Sequence, residues 1–305
     1  MAWLATEVSQ AAVVELMRVA WRTVGAICER VLADGLAGRP DRLEGLSRIG
    51  VDEIGYGKGQ RYVTIVVCHD TGRLVWCEAG RDAATLDRFF AQLGRERCWQ
   101  ITHVSADMAR WYHASIRRHV PDAVTCIDSF HVVALATQAL DAVRREVWNT
   151  ARRGGDPQGA RWLNGARWAL WKNPEDLTGR QAATLELIAE RNEPLYRAYL
   201  LKEQLREVFH EPDWQRATKR LDIWIEWAAT SGLAAFAKAA TTIRGFRDQI
   251  TTTLRYGLTN ARTEAINTTI RLICRRAYGF HSADAMIALA MLKLGGYRPS
   301  LPTTA

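Results

Sequence analysis

The strongest constraint on the fold of this chain is a series of short apolar runs between residues 48 and 127. Three consecutive runs, at 48–54, 62–68 and 73–77, are separated by tight glycine-containing turns and predict an antiparallel meander. An amphipathic helix follows, and two further strands at 101–106 and 123–127 flank a helix at 110–119. The predicted order is therefore βββαβαβ, which indicates an α/β domain.

Two aspartates follow these apolar runs directly. Asp52 comes after residues 49–51 and Asp107 after residues 104–106, so both are predicted where a buried strand ends. The order βββαβαβ is that of the ribonuclease H-like fold, a mixed sheet with helices on both sides, whose active site lies at the carboxyl ends of neighbouring strands. If the two strands are adjacent, the carboxylates face each other across about 5 Å. The alternative is that each aspartate only forms a turn or a salt bridge.

A third acidic residue, Glu264, lies at the start of a predicted basic helix. Glu264, Thr268, Arg271 and Arg275 recur three or four residues apart, so they share one helix face. A glutamate at the start of such a face would bring DNA phosphate close to any metal ion that it binds. The alternative is a first-turn glutamate that complements the helix dipole, with Asn260 as the N-cap.

Oxygen ligands such as these three carboxylates suit Mg²⁺ or Mn²⁺. Two such ions, about 3.5–4 Å apart, can activate an attacking oxygen and stabilise a leaving one. The pattern therefore predicts two-metal chemistry on a phosphodiester. Asp128 and His131 form a further D-x-x-H element, in which His131 could bind phosphate, or Asp128 could merely cap the next helix.

The domain organisation follows from where the strand pattern begins and ends. Residues 1–46 are predicted as a helical arm and linker, and the helical pair at 9–34 is either part of a helix-turn-helix or a packing arm. The packing arm of that alternative could equally be a dimerising arm. The core is predicted at 47–131, an all-helical insertion at 132–258, and core helices at 259–305, the last of them at 283–294. The tryptophans of the insertion either fill its core or stack on unpaired bases.

Composition restricts the partners and the compartment. The formal net charge of +8 and the pI of about 9.4 favour a polyanionic partner such as nucleic acid. Six scattered cysteines without a C-x-x-C pair indicate neither a zinc ribbon nor a disulfide framework. No apolar run reaches the length of a membrane span, and the N-terminus lacks a signal-peptide layout. The prediction is a cytoplasmic, nucleoid-associated protein without a membrane partner.

Several of these stretches together resemble one family, the bacterial insertion-sequence transposases of the ISL3 group. The resemblance covers most of residues 9–296. It rests on Val51-Asp52-Glu53 with Lys58-Gly59 and Tyr62-Val63-Thr64, on Ala106-Asp107-Met108, on Asp128 to Val132, on Leu200 to Glu203, and on Asn260 to Asn267 followed by Arg275-Arg276-Ala277-Tyr278-Gly279-Phe280. The family is similar to DDE-type transposases, which have a ribonuclease H-like core and a helical insertion before the last acidic residue.

The resemblance implies that Asp52, Asp107 and Glu264 are catalytic and bind two Mg²⁺ or Mn²⁺ ions. The implied activity is that of a DNA transposase, which cleaves DNA at insertion-sequence ends and transfers the 3′-hydroxyl to target DNA. The implied partners are double-stranded DNA, as terminal inverted repeats and target, and a second copy of the chain in a homodimer on DNA. DNA-binding or supporting roles fall to a second set of residues, namely Asp128, His131, Lys58, Asn260, Asn267, Arg271, Arg275 and Arg276.

Two alternatives remain open. Members of the family usually carry a cysteine-bearing zinc-ribbon segment and a complete helix-turn-helix further upstream, whereas this sequence begins within the helical region. A truncated, non-catalytic DNA-binding remnant that modulates a full-length transposase would fit that departure. A structure-specific nuclease on the same fold would instead cut DNA junctions without needing inverted repeats.

Overall fold

The computed structural model of the chain describes residues 1–37, 41–57, 59–258, 261–280 and 282–299. The chain divides into two units, the first comprising Met1–Cys126 with Thr259–Ala305 and the second Ile127–Leu258. In chain order the elements are α1 (Ala2–Glu7), α2 (Gln10–Met17), α3 (Trp21–Ala37), β1 (Arg48–Gly57), β2 (Arg61–Cys68), β3 (Leu74–Ala79), α4 (Ala83–Leu93), α5 (Arg95–Cys98), β4 (His103–Ala106), α6 (Arg110–His119), β5 (Val124–Ile127), α7 (Ser129–Arg153), α8 (Pro157–Gly165), α9 (Arg167–Trp171), α10 (Gly179–Arg191), α11 (Glu193–Val208), α12 (Trp214–Thr230), α13 (Ala234–Gly245), α14 (Arg247–Tyr256), α15 (Ala261–Arg276) and α16 (Ala283–Leu294). A one-turn 3₁₀ helix, Pro174–Asp176, precedes α10.

The five strands form one mixed sheet in the order β3-β2-β1-β4-β5. β1 pairs antiparallel with β2, and β2 pairs antiparallel with β3, which is the predicted meander. On its other side, β1 pairs parallel with β4. The predicted βββαβαβ order is confirmed, with the short helix α5 as an addition before β4. Apart from the end of β1, the strand limits differ from the predicted ones by at most two residues.

The first strand is longer than predicted. The sequence indicated a strand end at Ile54, because the glycines that follow are typical of a turn, but β1 continues to Gly57. These glycines keep pairing with the first residues of β2 across an irregularity in the ladder. The prediction that Asp52 lies at a strand end is therefore wrong, since Asp52 lies inside β1.

The sheet buries an apolar layer on each face. Side chains alternate between the faces along each strand. Ile54 and Ile65 point to one layer, which includes apolar residues of α1–α3, α15 and α16. Val51 and Val66 point to the other, which includes residues of α4, α5 and α6. We refer to these as the α15 face and the α6 face of the sheet.

The N-terminal helices pack into the core of the first unit. Val13 of α2 and Val24 of α3 are fully buried in the same apolar cluster as residues of α16. The Lys293 ammonium donates to the Thr6 carbonyl, which ties α16 to α1. These contacts show that the N-terminal helices pack on the core, and a helix-turn-helix role for residues 9–34 stays a prediction.

The second unit consists of helices α7–α14. Trp224 is buried and its indole N–H donates to the Leu201 carbonyl at 2.7 Å, whereas Trp168 is 60% exposed. The tryptophans of this unit therefore divide between core and surface. Several of its helices begin with an N-cap side chain of the expected type, namely Asp128, Asp156, Thr178, Asn192 and Asp213. Within the described residues of the chain, no helix is both long and apolar enough to span a membrane.

Candidate active site

The register of the two parallel strands aligns the predicted aspartates. The last pair between β1 and β4 is Gly50 opposite Ser105. Continuing this register by two residues places Asp107, directly after β4, level with Asp52 on β1. Neighbouring strands lie about 4.8 Å apart, so the two carboxylates project from adjacent backbone positions. The predicted adjacency of the two strands is confirmed.

Asp52 and its neighbour Glu53 point to opposite faces of the sheet. Asp52 accepts a hydrogen bond from the side-chain amide of Asn267 and so faces α15. Glu53 accepts a hydrogen bond from the Tyr112 hydroxyl on α6 at 2.6 Å and pairs with Arg81 at 2.8 Å. Of these two adjacent acids, Asp52 is therefore the one that shares a face with the helix of the third predicted ligand.

Asp107 is held at the turn between β4 and α6. Its carboxylate accepts a hydrogen bond from the Ala109 backbone N–H at 2.8 Å, and its carbonyl accepts one from His113 Nε2 at 2.7 Å. Burial raises the pKa of the nearby Tyr112, and the charges of Glu53 and then of both predicted aspartates raise it further. Of the three carboxylates, that of Glu53 accepts the hydrogen bond of the buried Tyr112 hydroxyl.

Helix α15 lies directly against β1 because position 50 has no side chain. A Cβ at Gly50 would lie 2.4 Å from Thr263 Oγ1 and 2.9 Å from His69 Nε2, so any larger residue would displace its neighbours. His69 Nε2 is hydrogen-bonded to Ser105 Oγ at 2.7 Å. Arg262 donates to the His69 carbonyl. These contacts fix the first turn of α15 beside the end of the β1–β4 pairing.

Asn267 connects α15 to Asp52. It is 3% exposed, and its amide nitrogen donates to Asp52 Oδ2 at 2.5 Å, while Asp52 Oδ1 accepts from the Glu53 backbone N–H at 2.8 Å. Asn267 Oδ1 and Thr263 Oγ1 are both buried without a hydrogen-bond partner among the described residues. Buried unsatisfied polar atoms are uncommon and costly. The polar groups that α15 brings next to Asp52 are therefore incompletely satisfied by the protein itself.

Glu264 lies in the first turn of α15 and is exposed. In sequence it stands between Thr263 and Asn267, the two buried polar residues with which α15 contacts β1. Among the residues that the structure describes, no three histidine, cysteine, aspartate or glutamate side chains lie close enough together to hold a metal ion. The structure pairs β1, which bears Asp52, with β4, which Asp107 follows, and it anchors the helix of Glu264 beside Asp52. It does not assemble the three carboxylates, so the triad stays a prediction.

The basic residues predicted to contact DNA occupy the outer side of α15. Arg271, Arg275 and Arg276 are exposed. Arg276 also donates to the carbonyl of Glu7 at 3.2 Å, so it helps to hold the N-terminal arm. Lys58 and Asn260 lie outside the described residues. DNA contact by these residues stays a prediction.

The D-x-x-H element belongs to the second unit. The Asp128 carboxylate accepts a hydrogen bond from the Phe130 backbone N–H at 3.1 Å and caps α7. His131 Nε2 lies 3.8 Å from Asp128 Oδ2. The capping role that the sequence left open for Asp128 is confirmed, and phosphate binding by His131 stays a prediction.

Sequence reasoning missed the contacts that hold α15 against the sheet. His69, Ser105 and Thr263 occupy ordinary positions of strand and helix patterns, and only their mutual contact gives them a role. Gly50 did carry a signal, because a glycine inside a strand often marks the close approach of another element. Tyr112 carried none, because a tyrosine on the apolar face of a helix is a usual core residue.

The match to a family of DDE-type transposases gives the class of this protein. The sequence pattern that defines the ISL3 group of these transposases matches residues 49–290, a range that holds all three predicted ligands and every strand residue except Arg48. The chain belongs to this transposase family, as the resemblance in its motifs indicated.

Individual relatives agree with this assignment. The transposases for insertion sequence element IS1557 from two strains of Mycobacterium tuberculosis are each 51% identical to the chain over 320 aligned positions, which cover 99% of the chain and 72% of the relative. The transposase for insertion sequence element IS1001 from Bordetella parapertussis is 32% identical over 276 positions, which cover 90% of the chain and 66% of the relative.

Proposed function

We propose that the chain is a DNA transposase that cleaves phosphodiester bonds at the ends of an insertion sequence and joins the freed 3′-hydroxyl to target DNA. The observation that carries this proposal is the parallel pairing of β1, which bears Asp52, with β4, which Asp107 follows directly, beside the helix that bears Glu264. The names of the relatives, transposases for IS1557 and IS1001, support the same activity.

The residues at this place fit a divalent-metal centre. Carboxylate and amide oxygens are the protein ligands that Mg²⁺ and Mn²⁺ accept most readily. Beside Asp52, the buried Oδ1 of Asn267 has no hydrogen-bond partner in the described part of the chain. We assign Asp52, Asp107 and Glu264 as the ligands of two ions. When bound, the ions would supply Lewis-acid activation and charge neutralisation at the scissile phosphate.

The chain's own hydrogen bonds would orient these ligands. The Asn267 amide and a backbone N–H hold the two oxygens of Asp52, and the Ala109 N–H holds Asp107. Such donors fix the rotamer of a ligand and tune its basicity. Arg271, two turns along the same helix face as Glu264, would attract DNA phosphates to the same place.

In this reaction, water attacks the phosphorus at the element end in line with the bond to the 3′-oxygen, which leaves as the 3′-hydroxyl. That hydroxyl then attacks a target phosphodiester in the same way. No covalent bond between protein and DNA is needed at either step. Because two ends must be joined in concert, we expect a homodimer on double-stranded DNA.

We also propose that the fold is ribonuclease H-like. The strand order β3-β2-β1-β4-β5 and the βββαβαβ sequence of elements support this topology. Residues 132–258 would form an all-helical insertion between the last strand and α15, in line with the division of the chain after residues 126 and 258. No observation favours a non-catalytic remnant.

The first test is cleavage of labelled DNA that carries the element's ends, with Mg²⁺ or Mn²⁺ compared with EDTA. Glu264→Gln should abolish metal-dependent nicking, whereas Asp284→Asn should leave it intact. Asp284 is the matched control because it is also an exposed first-turn carboxylate, at the start of α16. Its loss costs the same helix-dipole interaction, about 0.3–1 kcal/mol. Equal nicking by the wild type and Glu264→Gln would overturn the proposed triad.

A further inference from the structure

The turn after α15 holds a tyrosine in an unusual position. Tyr278 has a backbone φ of 52°, in the left-handed region, and it is 91% exposed. Bulky residues rarely adopt this backbone conformation, and such outliers concentrate at functional sites. A ring this exposed contributes almost no apolar burial. Neither local backbone preference nor core packing therefore accounts for a tyrosine here.

The turn itself has a structural role that does not use the ring. The Tyr278 N–H donates to the Arg275 carbonyl at 3.1 Å and the Gly279 N–H to the Cys274 carbonyl at 3.0 Å, which ends α15. Phe280 then returns the chain to the core, where it is 6% exposed. Because only the backbone of residue 278 takes part, glycine or asparagine would form the same turn with less strain.

Tyr278 also ends a stripe of exposed residues along α15. Glu264, Thr268, Arg271 and Arg275 lie on one helix face at helical spacing, and all four are exposed. Tyr278 follows three residues after Arg275. We call these five residues the α15 stripe. It begins with the proposed metal ligand, continues with a threonine and two arginines, and ends with an aromatic ring in the turn that follows α15.

We propose that Tyr278 stacks on an unpaired base of the DNA that the transposase binds, while Arg271 and Arg275 contact the neighbouring phosphates. Aromatic rings stack on bases of any sequence, and basic side chains beside them track the backbone. A base inside an intact duplex is already stacked on both sides, so the ligand of the ring is a base at a gap, a nick or a frayed end. The proposal rests on the proposed function, because DNA must lie along the helix of Glu264.

The length of the stripe sets where this contact falls. At about 1.5 Å per residue, α15 carries Tyr278 roughly 20 Å from Glu264. That distance corresponds to about six base steps of 3.4 Å. The ring would therefore contact DNA that flanks the cleaved bond rather than the reacting phosphate itself.

The test is binding, measured in EDTA so that it does not depend on cleavage. A short labelled duplex, either fully paired or with a central single-stranded gap, is titrated with the full chain. The wild type should bind the gapped DNA more tightly. Tyr278→Asn keeps a residue that tolerates the left-handed backbone and removes the ring. It should weaken binding to gapped DNA roughly 5- to 150-fold, the range for one lost aromatic–base stack, and leave the paired duplex unaffected.

Three further variants separate stacking from other effects. Tyr278→Phe should keep the preference for gapped DNA, because it keeps the ring. Arg275→Gln should weaken binding to both DNAs alike. It should also reduce the slope of the logarithm of the binding constant against the logarithm of salt concentration by about one. Trp99 is the matched control, because it is 67% exposed and the Arg95 guanidinium lies 5.2 Å from its ring. Trp99→Ala should leave the binding of both DNAs unchanged, because Trp99 lies at the end of α5 and not in the α15 stripe.

Four outcomes would overturn the proposal. They are no preference for gapped DNA in the wild type, a full preference in Tyr278→Asn, an equal loss in Tyr278→Phe, and a change from dimer to monomer in Tyr278→Asn without any change in DNA binding. The last would assign the ring to contact with a second copy of the chain. The triad is tested by metal-dependent nicking and this proposal by binding in EDTA, so a failure of the catalytic triad and a failure of this proposal are distinguishable.

Discussion

Two neighbouring acidic residues, one on each face of the sheet, have different partners. On the α6 face, Glu53 has a guanidinium and a buried hydroxyl as partners, Arg81 at 2.8 Å and Tyr112 at 2.6 Å. On the α15 face, Asp52 is held by Asn267, whose own buried oxygen has no partner among the described residues. A face that serves stability alone satisfies its buried polar groups. Both faces bury an apolar layer, and the difference between them is that the polar groups beside Asp52 are incompletely satisfied by the protein.

The largest expected effect comes from exchanging these two acids for their amides. Asp52→Asn should reduce metal-dependent strand cleavage by about a thousandfold or more, because several kcal/mol of transition-state stabilisation depend on the ligand. Glu53→Gln should leave cleavage within about tenfold of the wild type. It should lower the free energy of unfolding by about 1–3 kcal/mol, because it weakens a hydrogen bond to a charged group. Cleavage assays and urea unfolding measure the two quantities.

The reverse pattern would break the comparison. If Glu53→Gln stopped cleavage while Asp52→Asn only lowered stability, the reacting phosphate would lie on the α6 face. Both substitutions keep nearly the same volume, so differences in packing do not decide the result.

A second pair of variants removes one hydrogen-bond donor from each face. Asn267→Ala should raise the Mn²⁺ concentration needed for half-maximal cleavage by about 10- to 100-fold, the usual effect of losing a donor that orients a metal ligand. Tyr112→Phe should leave this concentration unchanged and lower the free energy of unfolding by about 1.5–3 kcal/mol. If the cleavage rate of Asn267→Ala recovers at saturating Mn²⁺, Asn267 acts by orienting Asp52 and not directly in catalysis. An unchanged Mn²⁺ requirement in Asn267→Ala would remove Asn267 from the site.

Local sequence signals were sufficient for much of the first unit. The helices at 110–119 and 283–294 have the limits that their apolar stripes predicted. The end of β1 was wrong because a run of glycines looks the same in a turn and in a hairpin that keeps pairing. Whether β1 continues past Ile54 depends on pairing with β2, and a local sequence window around the end of β1 does not show that pairing.

The pairing of the strands beside Asp52 and Asp107 was predictable from the sequence, whereas the contacts that hold α15 against these strands were not. Asp52 and Asp107 each follow an apolar run, which a single segment reveals. The cluster of Gly50, His69 and Thr263 joins a strand, a strand end and a helix that are far apart in sequence. Such a contact has no periodicity, so only the gap in the strand pattern at Gly50 could have indicated it.

The smallest expected effect is on the pH dependence of the free energy of unfolding. It compares two buried histidines, one on each face of the sheet. On the α15 face, burial lowers the pKa of His69 to about 4, and the charges of Arg262 and Arg48 act in the same direction. Burial also lowers the pKa of His113 on α6. Below pH 6.5, the unfolded chain binds a proton at position 69 that the folded chain does not bind until pH falls to about 4. The stability that this histidine contributes is therefore present at pH 7 and is lost as pH falls through that window.

Between pH 7 and pH 4.5, His69 should account for about 2 kcal/mol of the fall in the free energy of unfolding. His69→Gln should remove that part of the pH dependence, because its amide can still bond the Ser105 hydroxyl but does not titrate. His113→Gln should act with the same sign, so each single variant flattens the pH profile only in part. Urea unfolding at the two pH values measures both. If the free energy of unfolding of His69→Gln fell as much between pH 7 and pH 4.5 as that of the wild type, protonation of His69 would not cause the loss of stability in acid. The two faces would then differ only in their carboxylates.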